Sequence, residues 1–200
     1  MLVAYIVATT LLILAPGTNM MMMLALASSL GAQAGRWAAV GLALGVCVHT
    51  LVAATGGALL LQQWPAGMAW IQLLGSLYLV YLGGSIVYQQ IRPPAPQRTV
   101  STEMARSPFI QGVLSSLSNT KTLVLFVSFL PQFMDTNRPV PPQFMLLGGI
   151  YAVLTLIVYG AIGSLAGWAG ALLQRPAVQR SMRAIAGGVI ACLGVWGLRW

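Results

Sequence analysis

The sequence predicts an all-α integral membrane protein in which six transmembrane helices form two inverted three-helix repeats, with the first and fourth helices broken. Three observations support this fold class. Hydrophobic residues make up 58% of the 200 residues and charged residues only 6%, which leaves too little polar surface for a soluble protein. The apolar runs reach the roughly 20 residues that a helix needs to cross a bilayer. Polar, helix-disrupting residues interrupt the first and fourth runs.

The apolar runs set the bounds of the predicted spans. They cover about residues 2–30, 37–61, 67–91, 109–131, 142–170 and 182–199. The fifth run is too long for an upright span, so we expect it to tilt or bend. The longest connection, 92–108, is rich in proline and arginine and cannot form a hydrophobic core. It divides a single transmembrane domain, 1–200, into a first three-helix half, 1–91, and a second half, 109–200.

The arginines predict the orientation in the membrane. Seven lie in or beside the first, third and fifth loops, namely Arg36, Arg92, Arg98, Arg106, Arg175, Arg180 and Arg183. The opposite side has only Arg138 and Arg199. The positive-inside rule therefore places loops one, three and five in the cytoplasm and both termini outside. Three spans per half then give the two halves opposite orientations, which is the arrangement of an inverted repeat.

Pro16, Gly17, Thr18 and Asn19 interrupt the first span. Proline removes a backbone donor and clashes with the preceding turn, and glycine tolerates dihedral angles that other residues avoid, so the helix should kink or unwind. We expect Thr18 and Asn19 to cap the second half-helix, whose first N–H groups would then face an anion. The alternative is a simple proline kink packed against neighbouring helices.

Ser118, Asn119, Thr120 and Lys121 interrupt the fourth span. Backbone groups freed inside the hydrocarbon need a partner, so matching breaks in two halves predict a substrate site between them. An ammonium group near the middle of a span costs at least about 2.5 kcal/mol unless it faces water or a partner. This cost makes Lys121 a candidate binding residue. The alternative is that Lys121 extends along its aliphatic stem to the membrane interface.

His49 is the only histidine and lies in the middle of the second span. Its ring could carry a proton near neutral pH. An equally supported alternative is a neutral histidine that is hydrogen-bonded to a backbone carbonyl. Glu103 lies in the third loop and Asp135 follows the fourth span, so no predicted span contains a carboxylate. A carboxylate proton relay and a strongly cationic substrate are therefore not expected.

Several other classes of function lack support. The net charge of +8 comes from scattered basic residues and does not indicate nucleic-acid binding. Cys47 and Cys192 show no metal-ligand spacing, so no metal or cofactor is predicted. The run Met20 to Met23 spreads around a helix and is interpreted as core filler, not as a copper site. No nucleophile has an adjacent base, so we do not expect an enzyme.

Small residues four positions apart predict close helix packing. The pairs are Gly41 with Gly45 and Gly163 with Gly167. We interpret them as contacts within the chain, with a homodimer face as the alternative.

Three stretches resemble the LysE/RhtB family of amino-acid exporters. They are Leu12-Ile13-Leu14-Ala15-Pro16-Gly17-Thr18-Asn19, Gly41-Leu42-Ala43-Leu44-Gly45, and Asn119-Thr120-Lys121 followed by Phe129-Leu130-Pro131-Gln132-Phe133. The resemblance spans almost the whole chain. The family usually has Pro-Gly-Pro-Asn and Asn-Pro-Lys, so Thr18 and Thr120 each stand in place of a proline. Threonine can also unwind a helix through side-chain bonds to the backbone, although less strongly.

The resemblance implies a multi-pass exporter of small neutral amino acids or derivatives, such as threonine, homoserine or leucine, in a bacterial-type cytoplasmic membrane. It also implies coupling to the proton gradient, with His49 as the candidate proton carrier. The substrate site would comprise Pro16, Gly17, Thr18, Asn19, Asn119, Thr120 and Lys121. Two alternatives remain open: a thiol-disulfide redox transporter, which needs paired cysteines, and an exporter of another small solute or a metal ion.

Overall fold

A computed structural model describes residues 2–64, 67–91, 107–135, 138–173 and 175–198, and every regular element in these ranges is helical. The α-helices are α1 (Leu2–Leu14), α2 (Thr18–Leu30), α3 (Ala32–Gln63), α4 (Gly67–Ile91), α5 (Pro108–Leu117), α6 (Thr120–Ser128), α7 (Val140–Leu173) and α8 (Pro176–Gly197). A short 3-10 helix, Leu130–Phe133, follows α6. The predicted third loop lies almost entirely outside the described residues. Arg92, Arg98, Glu103, Arg106 and Arg199 lie outside them too.

Three of the described helices are long and apolar enough to cross a membrane, in α3, α4 and α7. Helices α1 and α2 meet at a bend of 59° and together make a fourth candidate span. Helix α5 is apolar but has only 10 residues. Large apolar side chains point outward, and Val52, Leu74 and Leu146 are each more than half exposed, which suits contact with lipid. The all-helical membrane class is confirmed, and the count of six spans stays a prediction.

The first break is caused by Pro16. The last α1 bond near it joins Ala15 N to Leu11 O at 3.0 Å, after which proline offers no N–H. The N-cap of α2 is Gly17, which has an extended backbone (φ −153°, ψ −171°) and makes no side-chain cap bond. The expectation that Thr18 and Asn19 supply the cap is therefore wrong, because both lie inside α2. The special dihedral freedom of glycine is not needed at Gly17 either.

The second break is shorter and contains no proline. Helix α5 ends at Leu117, and Asn119 N turns back to Ser116 O at 3.1 Å. Asn119 O then accepts from Thr122 N at 2.9 Å, which starts α6. The helix is therefore interrupted by two residues between α5 and α6, where the sequence predicted a break in the fourth span.

Antiparallel helix pairs carry much of the packing. Helix α3 crosses α7 where Gly35 meets Gly163, and a Cβ at Gly35 would lie 2.7 Å from Gly163 Cα. Gly41 and Gly45 of α3 approach α5 equally closely. The interpretation as contacts within the chain is confirmed for Gly41, Gly45 and Gly163, whereas the surroundings of Gly167 lie outside what the structure describes. Met20, Met22 and Met23 are buried in the core, as expected of flexible filler.

We expect Gly83→Ala to destabilise the protein, because α4 and α8 touch at this point. A Cβ at Gly83 would lie 2.5 Å from the carbonyl oxygen of Gly187. Overpacking of this kind typically costs about 1–3 kcal/mol. Gly84→Ala is the matched control, since nothing lies within 4 Å of a Cβ there. Thermal unfolding in detergent should show a lower midpoint for Gly83→Ala alone. Equal midpoints for the two variants would contradict this close approach of α4 and α8.

Candidate functional site

A cavity lies between the two helix breaks. Gly17 and Asn19 line it from the first break, and Asn119 and Thr122 line it from the second. Apolar residues of α1, α3 and α6 and one face of α7 complete its wall. The two interruptions that the sequence places far apart therefore meet at one cavity, which we call the break cavity.

The predicted site residues take different places around the break cavity. Gly17, Asn19 and Asn119 line it. Pro16 and Thr18 belong to the first break but are not among the lining residues, and Thr18 is exposed. The backbones of Thr120 and Lys121 begin α6. Their side chains lie outside the part of the structure that is described, so their roles stay predictions.

Asn19 links α2 to α5. Its side chain is 8% exposed, and its Oδ1 accepts a hydrogen bond from Ser115 Oγ at 2.9 Å. Ser115 lies on α5, so the bond joins the start of α2 to the helix before the second break. The side-chain oxygen of Asn19 is used in this bond, and the N–H donors of the same amide are available to other groups. The sequence alone gave no reason to single out Ser115, because its local pattern does not distinguish it from the other serine of α5.

The first break also frees the carbonyl of Ile13. In a continuous helix this oxygen would accept from Gly17 N, but α1 ends at Leu14. The hydroxyl of Tyr159 on α7 donates to Ile13 O at 3.1 Å instead. A reciprocal bond lies elsewhere on the same helix pair, where Tyr5 OH of α1 donates to Leu147 O of α7 at 2.7 Å. Two tyrosine hydroxyls therefore hold the broken helix against α7.

His49 lies beside the second break but does not line the break cavity. Its Nε2 lies 3.0 Å from Ser116 O, and the side chain is 8% exposed. Since a carbonyl oxygen only accepts, this geometry assigns the proton to Nε2 and makes Nδ1 the acceptor nitrogen of the neutral ring. The predicted alternative, a histidine bonded to a backbone carbonyl, describes this contact. The role of His49 as a proton carrier stays a prediction.

One face of α7 contributes three polar side chains that the sequence analysis missed. Tyr151, Thr155 and Tyr159 are spaced four residues apart, so they share a face of the helix, and all three line the break cavity. All are less than 9% exposed. The available signal was this four-residue spacing of hydroxyl side chains inside an otherwise apolar span.

Charged and metal-binding side chains do not converge on the break cavity among the described residues. No three His, Cys, Asp or Glu side chains in these ranges are placed to hold a metal ion. Asp135 pairs with Arg138 at 3.2 Å on an exposed surface. Cys47 and Cys192 are free cysteines on different helices, α3 and α8. The described cavity lining consists of backbone, amide, hydroxyl and apolar groups.

The chain is similar to a known protein family over nearly its whole length. Residues 10–198 match the family described as the LysE type translocator. The chain belongs to this family. It is therefore a multi-pass membrane transporter, and the resemblance noted from its motifs is confirmed.

Relatives of this chain include proteins that are named for an activity. A leucine efflux protein of Klebsiella pneumoniae is 32% identical over 68% of this chain and 65% of its own length. A leucine efflux protein of Salmonella choleraesuis is 30% identical over 68% of this chain and 64% of its own length. A membrane protein of Bacillus subtilis, YrhP, is 26% identical over 97% of this chain and 96% of its own length. No solved structure matches the translocator.

Proposed function

We propose that the translocator exports small neutral amino acids or their derivatives, of the leucine, threonine or homoserine type, across a bacterial-type cytoplasmic membrane. The observation that carries the proposal is the break cavity, where both interrupted helices present polar groups in the chain's interior. Membership of the translocator family and the similarity to two leucine efflux proteins support it. The cavity offers no carboxylate to a cationic substrate among its lining residues.

The ends of the half-helices suggest how a zwitterion binds. Helix α2 begins directly after Gly17 and α6 directly after Asn119, and both of these residues line the cavity. A helix N-terminus carries unpaired N–H groups and about half a positive charge. Each therefore favours the carboxylate of a substrate, as in other transporters with broken helices. In the proposal, Lys121 adds a full positive charge near the start of α6, and Asn19 and Asn119 bond the remaining polar atoms.

An inverted repeat would explain transport through this site. The proposed halves are residues 1–91 and 109–200, joined by the cytoplasmic connection 92–108, with both termini outside. Helices that correspond in the two halves, α3 with α7 and α4 with α8, pack antiparallel against each other. This pairing is what an axis in the membrane plane would produce. Rocking one half against the other would expose the break cavity to each side in turn.

The function can be tested by efflux from preloaded cells that express the translocator. The panel contains labelled leucine, threonine, homoserine, lysine and glutamate, each measured with and without an uncoupler. We expect uncoupler-sensitive efflux of at least one of the first three and of neither charged amino acid. A double Cys47→Ala, Cys192→Ala variant should export like wild type, because the proposal gives these thiols no role. Efflux of none of the neutral amino acids would contradict the proposal.

We further propose that His49 couples transport to protons, and expect His49→Gln to separate coupling from binding. A glutamine amide can replace the Nε2–H donor to Ser116 O, but it does not titrate. The variant should keep amino-acid exchange in proteoliposomes and lose its acceleration by a pH gradient. His49→Leu, which removes the donor, should impair both activities. If His49→Gln responds to the gradient like wild type, His49 has only a structural role.

A further inference from the structure

The hydroxyl of Thr155 is buried without a partner in the described structure. The side chain is 2% exposed, its Oγ1 makes no hydrogen bond, and it lines the break cavity. Three other helical threonines behave differently: Thr10, Thr50 and Thr55 donate to the carbonyl four residues earlier, at 2.8, 2.9 and 2.8 Å. Buried polar groups are normally paired, so an unpaired one in a cavity marks a place for a ligand atom.

Comparable atoms elsewhere do not face this cavity. Thr9, Ser116 and Gln132 also carry a buried side-chain atom without a partner in the described ranges. None of the three lines the break cavity. Thr155 is therefore distinguished by its position and not by its burial alone.

Tyr159 also lines the break cavity and carries a second hydroxyl oxygen. Its proton is committed to Ile13 O at 3.1 Å, so the lone pairs of the tyrosine oxygen are available as acceptors. Tyr159 lies one helical turn from Thr155 on α7, and residues at this spacing have Cβ atoms about 5–6 Å apart. The freed carbonyl of Ile13, which lines the cavity too, thus fixes the direction of the tyrosine O–H bond.

We propose that the hydroxyl oxygens of Thr155 and Tyr159 form the subsite that binds the α-ammonium group of the substrate. This inference rests on the proposed function and assigns one end of the substrate to α7. An ammonium group has three donors and no acceptor, which matches two acceptor oxygens. The oxygens are neutral, so they suit a zwitterion whose own carboxylate balances its charge. They do not offset the second positive charge of a cationic amino acid.

The subsite predicts discrimination between an amino acid and its 2-hydroxy acid analogue. The test uses purified protein in proteoliposomes and the fastest exchanged substrate among leucine, threonine and homoserine. Its exchange is inhibited by the unlabelled amino acid and, separately, by the 2-hydroxy acid with the same side chain. We expect the wild-type chain to bind the amino acid more tightly. Because a hydrogen bond to a charged group is strong, Thr155→Val should reduce that preference about tenfold or more.

Matched variants keep the test specific. Thr155→Ser retains the hydroxyl and should preserve the preference, and Thr55→Val, an exposed threonine on α3, should do the same. Tyr159→Phe removes the second oxygen and should weaken the preference independently of Thr155. An unchanged preference in both Thr155→Val and Tyr159→Phe, with normal exchange by the wild-type chain, overturns this inference alone. Absence of exchange of all three amino acids by the wild-type chain overturns the proposed function and this inference with it.

Discussion

Replacing Asn19 or Asn119 by alanine is expected to lower amino-acid efflux about tenfold or more at equal membrane abundance. Both amides line the break cavity, one from each interrupted helix. A lost hydrogen bond to a charged substrate group costs about 1.5–3 kcal/mol, which corresponds to roughly a tenfold to hundredfold loss of binding. Asn19→Ala also leaves the Ser115 hydroxyl without its acceptor, so the wall of the cavity is altered as well. The measurement is the initial rate of efflux from preloaded cells.

The control for these variants lies in the second break itself. Ser118 precedes Asn119, is exposed and does not line the cavity. Ser118→Ala should therefore export like wild type. If Asn19→Ala and Asn119→Ala both match Ser118→Ala in rate, the break cavity is not the substrate site.

Lys121→Met is expected to abolish efflux without lowering the stability of the protein. Methionine keeps most of the length of the side chain and removes its charge. On insertion scales a lysine in the middle of a span costs about 2.5–3.5 kcal/mol, so the variant should unfold at the same temperature or higher. Loss of transport together with retained or increased stability is the signature of a charge that is kept for function. The two measurements are efflux and thermal unfolding in detergent.

Lys121→Arg is the matched control for the charge. Arginine keeps the positive charge with a different shape, so part of the efflux should return. A Lys121→Met protein that exports at the wild-type rate would show that this lysine only reaches the membrane interface. That result would also remove the charged partner that we propose for the substrate carboxylate.

Local chemistry explains which parts of the fold the sequence could predict. Pro16 breaks a helix wherever it lies because it lacks an N–H, so the first interruption followed from one residue. The second interruption followed from polar residues placed within an apolar run, at Ser118 and Asn119. Most helix bounds were predictable to within three residues, since glycine and proline end apolar runs. However, α3 begins at Ala32, five residues before the predicted 37, and α8 begins at Pro176, six residues before the predicted 182. The number of spans does not follow in the same way, because it depends on a membrane boundary that helix length alone does not define.

Tertiary contacts explain what the sequence could not predict at the site. Tyr159 meets Ile13 O across 146 positions of the chain, and Ser115 meets Asn19 across 96. No local pattern encodes such pairings. The expected caps from Thr18 and Asn19 were wrong because α2 starts one residue earlier than capping by Thr18 requires, with Gly17 as its N-cap. Thr155 could be identified only from the structure, because only the structure shows that its hydroxyl lacks the usual hydrogen bond to the carbonyl four residues earlier.

The central claim is that a neutral amino acid passes through the cavity between the two helix breaks. The most direct measurement is exchange of labelled leucine, threonine and homoserine in proteoliposomes that contain purified wild-type protein or the Asn19→Ala, Asn119→Ala double variant. The account predicts rapid exchange of at least one of these amino acids by the wild-type protein and none above background by a folded double variant. Equal exchange by the two proteins, or no exchange by the wild-type protein, would contradict it.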